Sequence, residues 1–326
     1  MPQNSTHFCH GCRLHICNRT SKVLPLHLLF SDAPDRSPVA DLHIDLEISS
    51  TRGLIQPETS ATDTMFAGYD SPDWIIQWHN FAHLHIQSPH AHATFLPTIS
   101  SWEIIDTLFH EVPAFLLSQQ RQLVMHAAGL ADKDGRGIFI LGDSGAGKST
   151  TTALLLSTEH FKILGDDLLL ISGNGHIHPA TPFIRLWPQP SLEQHLCRQN
   201  ANLLASLPPK QLWHIPHQLT ASHPCQLHTI WILTPIIDAP NSDLRPKVLT
   251  VHTADAILQL LQQTFVACFS RHIGRDLIPP SSQDFLLTRL QTMIQHVCIQ
   301  RLIFPHHWLQ EQPSLLLDFL TSHLPS

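Results

Sequence analysis

Apolar and polar residues alternate along much of the first part of the chain, and this two-residue period is typical of β-strands. The alternation is most regular at Asp41–Ile48, where every second residue is Leu or Ile. A rougher alternation predicts a strand over Phe8–Cys17. Two short apolar segments, Trp74–Trp78 and Ala82–Ile86, predict a hairpin pair or separate short strands.

A helical pattern follows these strands. Apolar residues recur at helical spacing over Ser101–Ser118, with Ser100 or Ser101 placed as the cap and Glu103 in the first turn. Pro113 is expected to kink or divide the helix, because proline lacks the backbone N–H that a helix interior uses. Residues 1–121 are therefore predicted to form a separate, β-rich portion.

From Gln122 the pattern changes to apolar runs that alternate with helical segments, which is typical of α/β domains. Residues 122–326 are predicted to form this second domain. Hairpin turns are expected at 132–137 and 173–175. The predicted strands are Leu123–Ala127, Ile138–Leu141, Phe161–Leu164, Leu168–Ser172, His176–Pro179, Leu227–Thr234 and Cys298–Phe304. One helix is predicted to begin at Ser149. Four others are predicted over Ser191–Leu207, Thr253–Phe269, Asp284–His296 and Ser314–Leu324.

The segment GDSGAGKS, between an apolar run and a predicted helix, matches G-x-x-x-x-G-K-[ST] at every fixed position. Such a loop wraps phosphate with backbone N–H groups and with the positive end of the helix dipole. Lys148 is expected to reach the β- and γ-phosphates of a nucleoside triphosphate, and the Ser149 hydroxyl to bind Mg²⁺. The expected phosphate-binding residues are Gly142, Asp143, Ser144, Gly145, Ala146, Gly147, Lys148, Ser149 and Thr150.

Two adjacent carboxylates, Asp166 and Asp167, end the next apolar run after the predicted loop helix. Phosphoryl transfer needs Mg²⁺ ligands and a group that handles the acceptor proton. One aspartate would bind Mg²⁺ and the other would act as a base on an acceptor hydroxyl, against the alternative of a solvated turn. Adjacent residues of a strand point to opposite faces, so both reach one site only if the strand ends and the backbone turns there.

Four further residues are candidates for the same chemistry. His126 ends the apolar run before the predicted loop strand, where it either faces the phosphates and the acceptor or is a core or edge residue. Arg185 lies among apolar residues and needs an anionic partner, which is phosphate, nucleotide, substrate, Glu193 or a nearby Asp. Arg271 and Arg275 lie in a polar break between helices, where they either stabilise the transferring phosphoryl group or belong to a solvated loop.

Composition narrows the class of protein. The chain has 326 residues and a net charge of −7, which argues against nonspecific nucleic-acid binding. No stretch approaches the roughly 18 apolar residues of a membrane span, and the N-terminus lacks the apolar segment of a signal peptide. A soluble cytoplasmic protein is expected, with its seven cysteines as thiols. The 26 histidines are scattered, and most are interpreted as solvated and not as metal ligands.

The stretch from Leu123 to Ser172 resembles the catalytic domain of the HPr kinase/phosphorylase family. In that family a His precedes the loop, the loop reads GDSG-x-GKS, and an Asp-Asp pair follows the loop helix. These elements are matched here, with about the same spacing between His and loop, by His126, Gly142–Ser149 and Asp166-Asp167. The resemblance implies an α/β P-loop kinase core of the HPr kinase/PEP carboxykinase type. It also implies that the pair acts on a seryl hydroxyl and positions the metal, with Asp166 as the first candidate for the base and Ser149 and Asp167 for the metal.

The chain looks closer to the HPr-kinase-like proteins of peptide-modification clusters, including lasso-peptide precursor kinases. His126-Ala127-Ala128 and Arg185-Leu186-Trp187-Pro188 resemble runs of those proteins, and segments near both termini resemble them more weakly. The Arg-Gly segment associated with phosphorolysis and the N-terminal sensor domain of the bifunctional enzymes are not recognisable. Phosphorylase activity is therefore not expected, and HPr itself is not implied as the substrate.

The predicted reaction is transfer of the ATP γ-phosphoryl group, with Mg²⁺, to a Ser or Thr hydroxyl of a peptide or protein. Lys148, His126, Asp166 and Asp167 are the predicted catalytic residues. Two alternatives stay open, a kinase for a small molecule such as a free hydroxy amino acid and a nucleotide switch that hydrolyses ATP to change partners. The resembled enzymes are oligomeric, which implies a homo-oligomer.

Overall fold

The computed structural model describes residues 3–9, 12–20, 22, 24, 41–48, 74–78, 82–106, 108, 111–207, 209–237, 245–268 and 280–324. The chain forms two compact units, residues 1–124 with 264–286 and residues 125–263 with 287–326. It is a mixed α/β protein with several sheets, as the residue pattern predicts. The predicted domains, 1–121 and 122–326, stay a prediction, because compactness alone does not show that either part folds by itself.

Six strands in the described part of the first unit form one sheet in the order β1-β2-β3-β6-β5-β4. They are Gln3–Cys9 (β1), Cys12–Asn18 (β2), Asp41–Ile48 (β3), Trp74–Trp78 (β4), Ala82–Gln87 (β5) and His90–Phe95 (β6). Strand β3 is parallel to β2 and β6, and the other pairs are antiparallel. The predicted strand at Asp41–Ile48 and the hairpin pair β4–β5 are confirmed.

The prediction of one strand over Phe8–Cys17 is wrong. Strands β1 and β2 pair antiparallel, from Gln3 opposite Asn18 to Cys9 opposite Cys12. Alternation of apolar residues does not reveal where a chain reverses, and here the pattern continued across the reversal. The alternation in β2 has a structural basis, because Cys12, Leu14 and Ile16 are all buried.

The helical segment of the first unit contains two α-helices. They are Ser101–Asp106 (α1) and Val112–Gln119 (α2). Ser100 and Glu103 form a reciprocal cap, in which each side chain accepts a hydrogen bond from the other's backbone N–H, at 3.1 and 2.7 Å. Pro113 lies in the first turn of α2, where its missing N–H has no helical partner. The predicted cap is confirmed, whereas the kink or division at Pro113 stays a prediction, because residues 107, 109 and 110 lie outside the described residues.

The main sheet has nine strands in the described chain, in the order β10-β8-β9-β16-β12-β11-β7, with β18 paired to β16 and β17 to β18. They are Leu123–Met125 (β7), Ala128–Asp132 (β8), Arg136–Leu141 (β9), Phe161–Gly165 (β10), Leu169–Ile171 (β11), His176–Ile177 (β12), Cys225–Ile236 (β16), Lys247–Thr250 (β17) and Cys298–Pro305 (β18). The predicted hairpins β8–β9 and β11–β12 are confirmed.

The turn between β8 and β9 is held by its own side chains. Asp132 accepts backbone hydrogen bonds from Asp134 at 2.9 Å and from Arg136 at 2.8 Å. The Arg136 guanidinium returns to the same carboxylate at 2.8 Å. The strands pair from Ala128 opposite Ile140 to Ala131 opposite Gly137. The turn is thus compatible with the register of the strand pair.

A small antiparallel sheet has the order β13-β15-β14 and consists of Phe183–Leu186 (β13), Asn202–Leu207 (β14) and Lys210–His214 (β15). The predicted helix over Ser191–Leu207 is wrong in its second half. Helix α4 covers Pro190–Arg198, and Asn200 has a φ of 60°, a left-handed conformation that ends a helix. Cross-strand pairing with β15 then prevails over the helical pattern of the leucines.

The other helices are Lys148–Leu156 (α3), Thr253–Gln262 (α5), Pro280–Ile294 (α6) and Pro313–Thr321 (α7), with 3₁₀ turns at His217–Leu219 and His306–Leu309. The helix predicted over Thr253–Phe269 is interrupted: α5 ends at Gln262, and residues 265–268 are helical again. Phe269 lies outside the described residues. Helix α3 packs on β8, β10, β13, α4 and α7. Among the described residues, no helix is long and apolar enough to cross a membrane.

Candidate active site

Four strands of the main sheet end at the same edge. Strand β16 is parallel to β9 and to β18, and β10 is antiparallel to β8, which is antiparallel to β9. Carboxyl ends of parallel strands are a recurrent place for ligand sites in α/β proteins. The segment Gly142–Gly147, called the glycine loop below, follows β9, and Asp166 and Asp167 follow β10. The topology therefore brings the two predicted motifs to one edge.

The glycine loop needs glycine where side chains would collide. Gly147 has a φ of 90°, and a Cβ there would overlap the side chain of Leu309. A Cβ on Gly142 would lie 2.7 Å from the Cβ of Ala146 and 3.2 Å from the carbonyl oxygen of Leu233. Asp143 caps the loop's tight turn by accepting a backbone hydrogen bond from Ala146 at 3.0 Å. Glycine at these two positions therefore lets the loop pack closely against Leu309, Ala146 and Leu233.

The start of helix α3 has the features of an anion site. Its first helical hydrogen bond runs from Thr151 to Gly147 at 2.8 Å, so the N–H groups of Lys148, Ser149 and Thr150 precede it. No side chain of the described chain caps this helix. Lys148 is 6% exposed, and its ammonium donates to the carbonyl of Gly142 at 2.9 Å. Helix end, loop and ammonium all offer positive charge to one bound anion.

Asp166 is a buried carboxylate with incomplete hydrogen bonding. It is 2% exposed, and its Oδ2 accepts a hydrogen bond from the backbone N–H of Arg185 at 3.3 Å. Its Oδ1 is buried and has no partner among the described residues. Burial, together with the charge of Asp167, raises the pKa of Asp166 to about 6, although the Ser149 hydroxyl opposes the rise. One oxygen of this carboxylate is therefore left as an unused hydrogen-bond acceptor.

The backbone turns at Asp167, as the site requires. Strand β10 ends at Gly165, Asp167 has a φ of 64°, and the N–H of Leu168 bonds to the carbonyl of Asp166 at 2.8 Å. A positive φ is uncommon outside glycine, although aspartate adopts it more readily than most residues. The turn lets both carboxylates of the pair meet Arg185, one at its backbone and one at its side chain.

Asp167 lies against two basic side chains, His126 and Arg185. Its Oδ1 lies 3.6 Å from Nε2 of His126, and its Oδ2 accepts a hydrogen bond from Nε of Arg185 at 3.1 Å. Burial alone would raise the pKa of Asp167, but His126 and Arg185 hold that pKa well below its usual range. The pair thus contains one carboxyl group with a lowered pKa and one with a raised pKa.

The structure places most of the sequence-predicted residues together. His126 and Arg185 both lie against Asp167, so a nearby Asp, one of the partners considered for Arg185, is present. Glu193 is engaged elsewhere, because it accepts a hydrogen bond from the N–H of Gln189 at 3.0 Å. The candidates Arg271 and Arg275 lie outside the described residues.

Two residues of the site were not predicted from the sequence. Lys210, the first residue of β15, lowers the pKa of both aspartates through its charge. Gln263 is 6% exposed and connects two parts of the site, since its carbonyl accepts the N–H of His126 at 2.8 Å and its side chain donates to Asp143 at 3.4 Å. No local motif marks either residue; a correct strand assignment for 210–214 would have placed Lys210 beside the Arg185 strand.

The donor set fits a divalent cation. The unpartnered Oδ1 of Asp166 is a buried anionic oxygen, and the Ser149 hydroxyl lies close enough to affect the pKa of that carboxyl. Carboxylate and hydroxyl oxygens are ligands that Mg²⁺ accepts, usually together with water and phosphate. A cation bound there would stabilise the ionised form of Asp166, which burial disfavours.

No family model matches the chain, and no curated protein matches it. Among solved structures, the HPr(Ser) kinase/phosphatase from Coxiella burnetii matches with 16% identity, over 61% of this chain and 95% of that chain, at a TM-score of 0.29. At this TM-score the similarity supports no functional inference. The function proposed below is drawn from the geometry of the site and the motifs of the sequence.

Proposed function

We propose that the protein is an ATP-dependent kinase that transfers the γ-phosphoryl group to a Ser or Thr hydroxyl of a peptide or protein. The observation that carries the proposal is the joint placement, at one sheet edge, of the glycine loop and the two unequal carboxylates Asp166 and Asp167. A phosphate cradle alone indicates nucleotide binding. A paired acidic site beside the cradle adds a metal ligand and a group for the acceptor proton.

The phosphates are held by the backbone of the glycine loop and by Lys148. Lys148 already lies against the loop, and the N–H groups of Ser149 and Thr150 precede the first helical hydrogen bond. These donors stay fixed while charge moves during transfer, so little reorganisation is needed at the moment of reaction.

The charge balance assigns the two aspartates different roles. Asp166 and Ser149 would hold Mg²⁺, which offsets phosphate charge when bound. Asp167, already ionised, would orient the acceptor hydroxyl and receive its proton, while His126 and Arg185 hold that carboxylate in place. This assignment reverses the order suggested by the sequence, in which Asp166 was the first candidate for the base. It follows from the contacts of Asp167 with His126 and Arg185 and from the unpartnered Oδ1 of Asp166.

The acceptor class rests on the resemblance to HPr-kinase-like proteins. The Arg185-Leu186-Trp187-Pro188 run belongs to that resemblance. In the structure, Arg185 donates a hydrogen bond to Asp167, and Trp187 is 56% exposed. An exposed tryptophan two residues from the site offers a peptide an apolar contact. The cytoplasmic location and the homo-oligomer stay predictions.

The test is phosphoryl transfer by the full-length protein. The protein is incubated with ATP, Mg²⁺ and separate acceptors, which are Ser-containing peptides, an HPr-type protein and free serine, and the products are analysed by mass spectrometry. Gain of one phosphate on a peptide or protein is expected. Lys148→Ala should abolish the gain, whereas Lys162→Ala, a change at an exposed lysine of β10, should leave it intact.

The alternatives predict different products. Phosphate on free serine alone would establish a small-molecule kinase. ADP formed without any phosphorylated acceptor, and lost in Lys148→Ala, would favour a nucleotide switch. Transfer that survived Lys148→Ala at the wild-type rate would overturn the proposed site.

A further inference from the structure

A cavity of about 450 Å³ lies against the glycine loop. It is lined by the loop, the end of β16, the last turn of α5, Arg301 of β18 and His306. In the sheet, β10 and its aspartates lie on one side of β9, and β16 and β18 lie on the other. The glycine loop therefore stands between the carboxylates and this cavity.

The lining combines apolar surface with a few polar groups. Leu233, Pro235 and Ile237 give the apolar surface, and Ile237 is 85% exposed. Gln259 and Arg301 add an amide and a guanidinium. Small-molecule sites typically have this composition, and their volumes are about 300–1,000 Å³. A guanidinium plane also stacks well on aromatic rings.

Gln259 has a hydrogen-bonding capacity that the protein does not use. Its Oε1 is buried and has no partner among the described residues. A buried acceptor without a donor costs stability, so natural structures pair nearly all such atoms. Gln259 lines the cavity, so rotation of its terminal amide would present this oxygen to a hydrogen-bond donor of a ligand, which would remove that cost.

We propose that the cavity receives the nucleoside of ATP and that Gln259 accepts a hydrogen bond from the exocyclic amino group of adenine. The inference rests on the proposed kinase function and adds the residue that selects the base. Guanine has a carbonyl oxygen where adenine has the amino group, so it would set an acceptor against an acceptor. The triphosphate would then extend from the cavity across the glycine loop towards Asp166 and Asp167.

The test compares ligands that share the triphosphate. Binding of ATP, GTP and inorganic triphosphate to the full-length protein is measured by calorimetry with Mg²⁺ present. The wild-type protein should bind ATP more tightly than GTP or triphosphate. Gln259→Met, which keeps the length of the side chain, should weaken ATP binding about tenfold and bring the ATP-to-GTP affinity ratio close to one. Triphosphate affinity should not change.

Two further variants keep the test independent of folding. Ile237→Ala changes an exposed residue of the cavity and should weaken ATP but not triphosphate. Gln312→Met, an exposed glutamine elsewhere, should change no affinity. Wild-type affinity for ATP in both Gln259→Met and Ile237→Ala would overturn the inference and leave the kinase proposal standing. Failure of the wild-type protein to bind either ATP or triphosphate would overturn both.

Discussion

Two clusters of one aspartate, one histidine and one arginine in the described part of the chain have nearly the same internal distances. In the first unit, Asp41 lies 3.2 Å from Nη1 of Arg13 and 3.6 Å from Nε2 of His15. These side chains are 48%, 37% and 36% exposed. Water and salt screen such a cluster, so its ion pairs contribute little to stability and shift no equilibrium strongly.

The second cluster repeats these contacts in a less exposed place. Asp167 lies 3.1 Å from Nε of Arg185 and 3.6 Å from Nε2 of His126, but its side chain is only 14% exposed. Here the partners hold the pKa of Asp167 well below its usual range. Composition and distance alone thus do not identify a reactive site. Burial, and a second carboxylate next to the first, separate this cluster from the one on the sheet of the first unit.

The most direct test of the difference between the two clusters is to neutralise the aspartate of each. Asp167→Asn should lower the rate of phosphoryl transfer about a hundredfold to ten-thousandfold, because it removes the acceptor-orienting carboxylate. Asp41→Asn, the same change in the exposed cluster, should leave the rate within about twofold. Single-turnover transfer from ATP measures both. Equal rates for wild type and Asp167→Asn would show that Asp167 takes no part in phosphoryl transfer.

A second prediction uses the pKa of Asp166. The unfolded chain releases this proton near pH 3.8 and the folded chain near pH 6, so folding binds a proton between these values. The contribution of Asp166 to stability is therefore lost as pH rises through that window, by about 3 kcal/mol at most.

The measurement is a difference between two proteins, because the many histidines titrate in both. Urea unfolding of wild type and Asp166→Asn without Mg²⁺ should diverge between pH 4 and 6, with the wild type losing stability relative to the variant. Added Mg²⁺ should stabilise the wild type more than the variant. Parallel pH profiles, with equal responses to Mg²⁺, would argue against a buried, unpaired carboxylate at this position.

The smallest expected effect concerns the two arginines. Arg185→Met removes a side-chain bond to Asp167 and should lower the free energy of unfolding by about 1–2 kcal/mol, since the contact is partly buried. Arg13→Met should cost no more than about 0.5 kcal/mol. Chemical denaturation at neutral pH measures the difference. Similar costs for both changes would mean that burial does not distinguish the clusters.

The parts of the site that lie in continuous sequence were predictable. The glycine loop is one uninterrupted motif, and the aspartate pair follows the next apolar run, so both could be placed at strand ends from the order of elements alone. Asp167's turn was a stated condition for the pair to act together, and its φ of 64° meets that condition.

The roles within the pair were not predictable, because they depend on residues distant in sequence. Arg185 meets Asp167 across 18 positions, and Gln263 meets Asp143 across 120. Lys210 was missed for a related reason. The leucines of 202–207 have a helical spacing, and only pairing with β15 makes them a strand. Local patterns do not contain that pairing.

The hairpin of β8 and β9 also has a consequence for protein engineering. His126 lies two residues before Ala128, and Gly142 lies two residues after its pairing partner Ile140. One residue inserted within either strand would shift that spacing by about 3.4 Å and move alternate side chains to the opposite face. Residues added between Asp132 and Arg136 would lengthen only the tip. An epitope tag or fluorophore therefore belongs at that tip, where it leaves the spacing of histidine and loop unchanged.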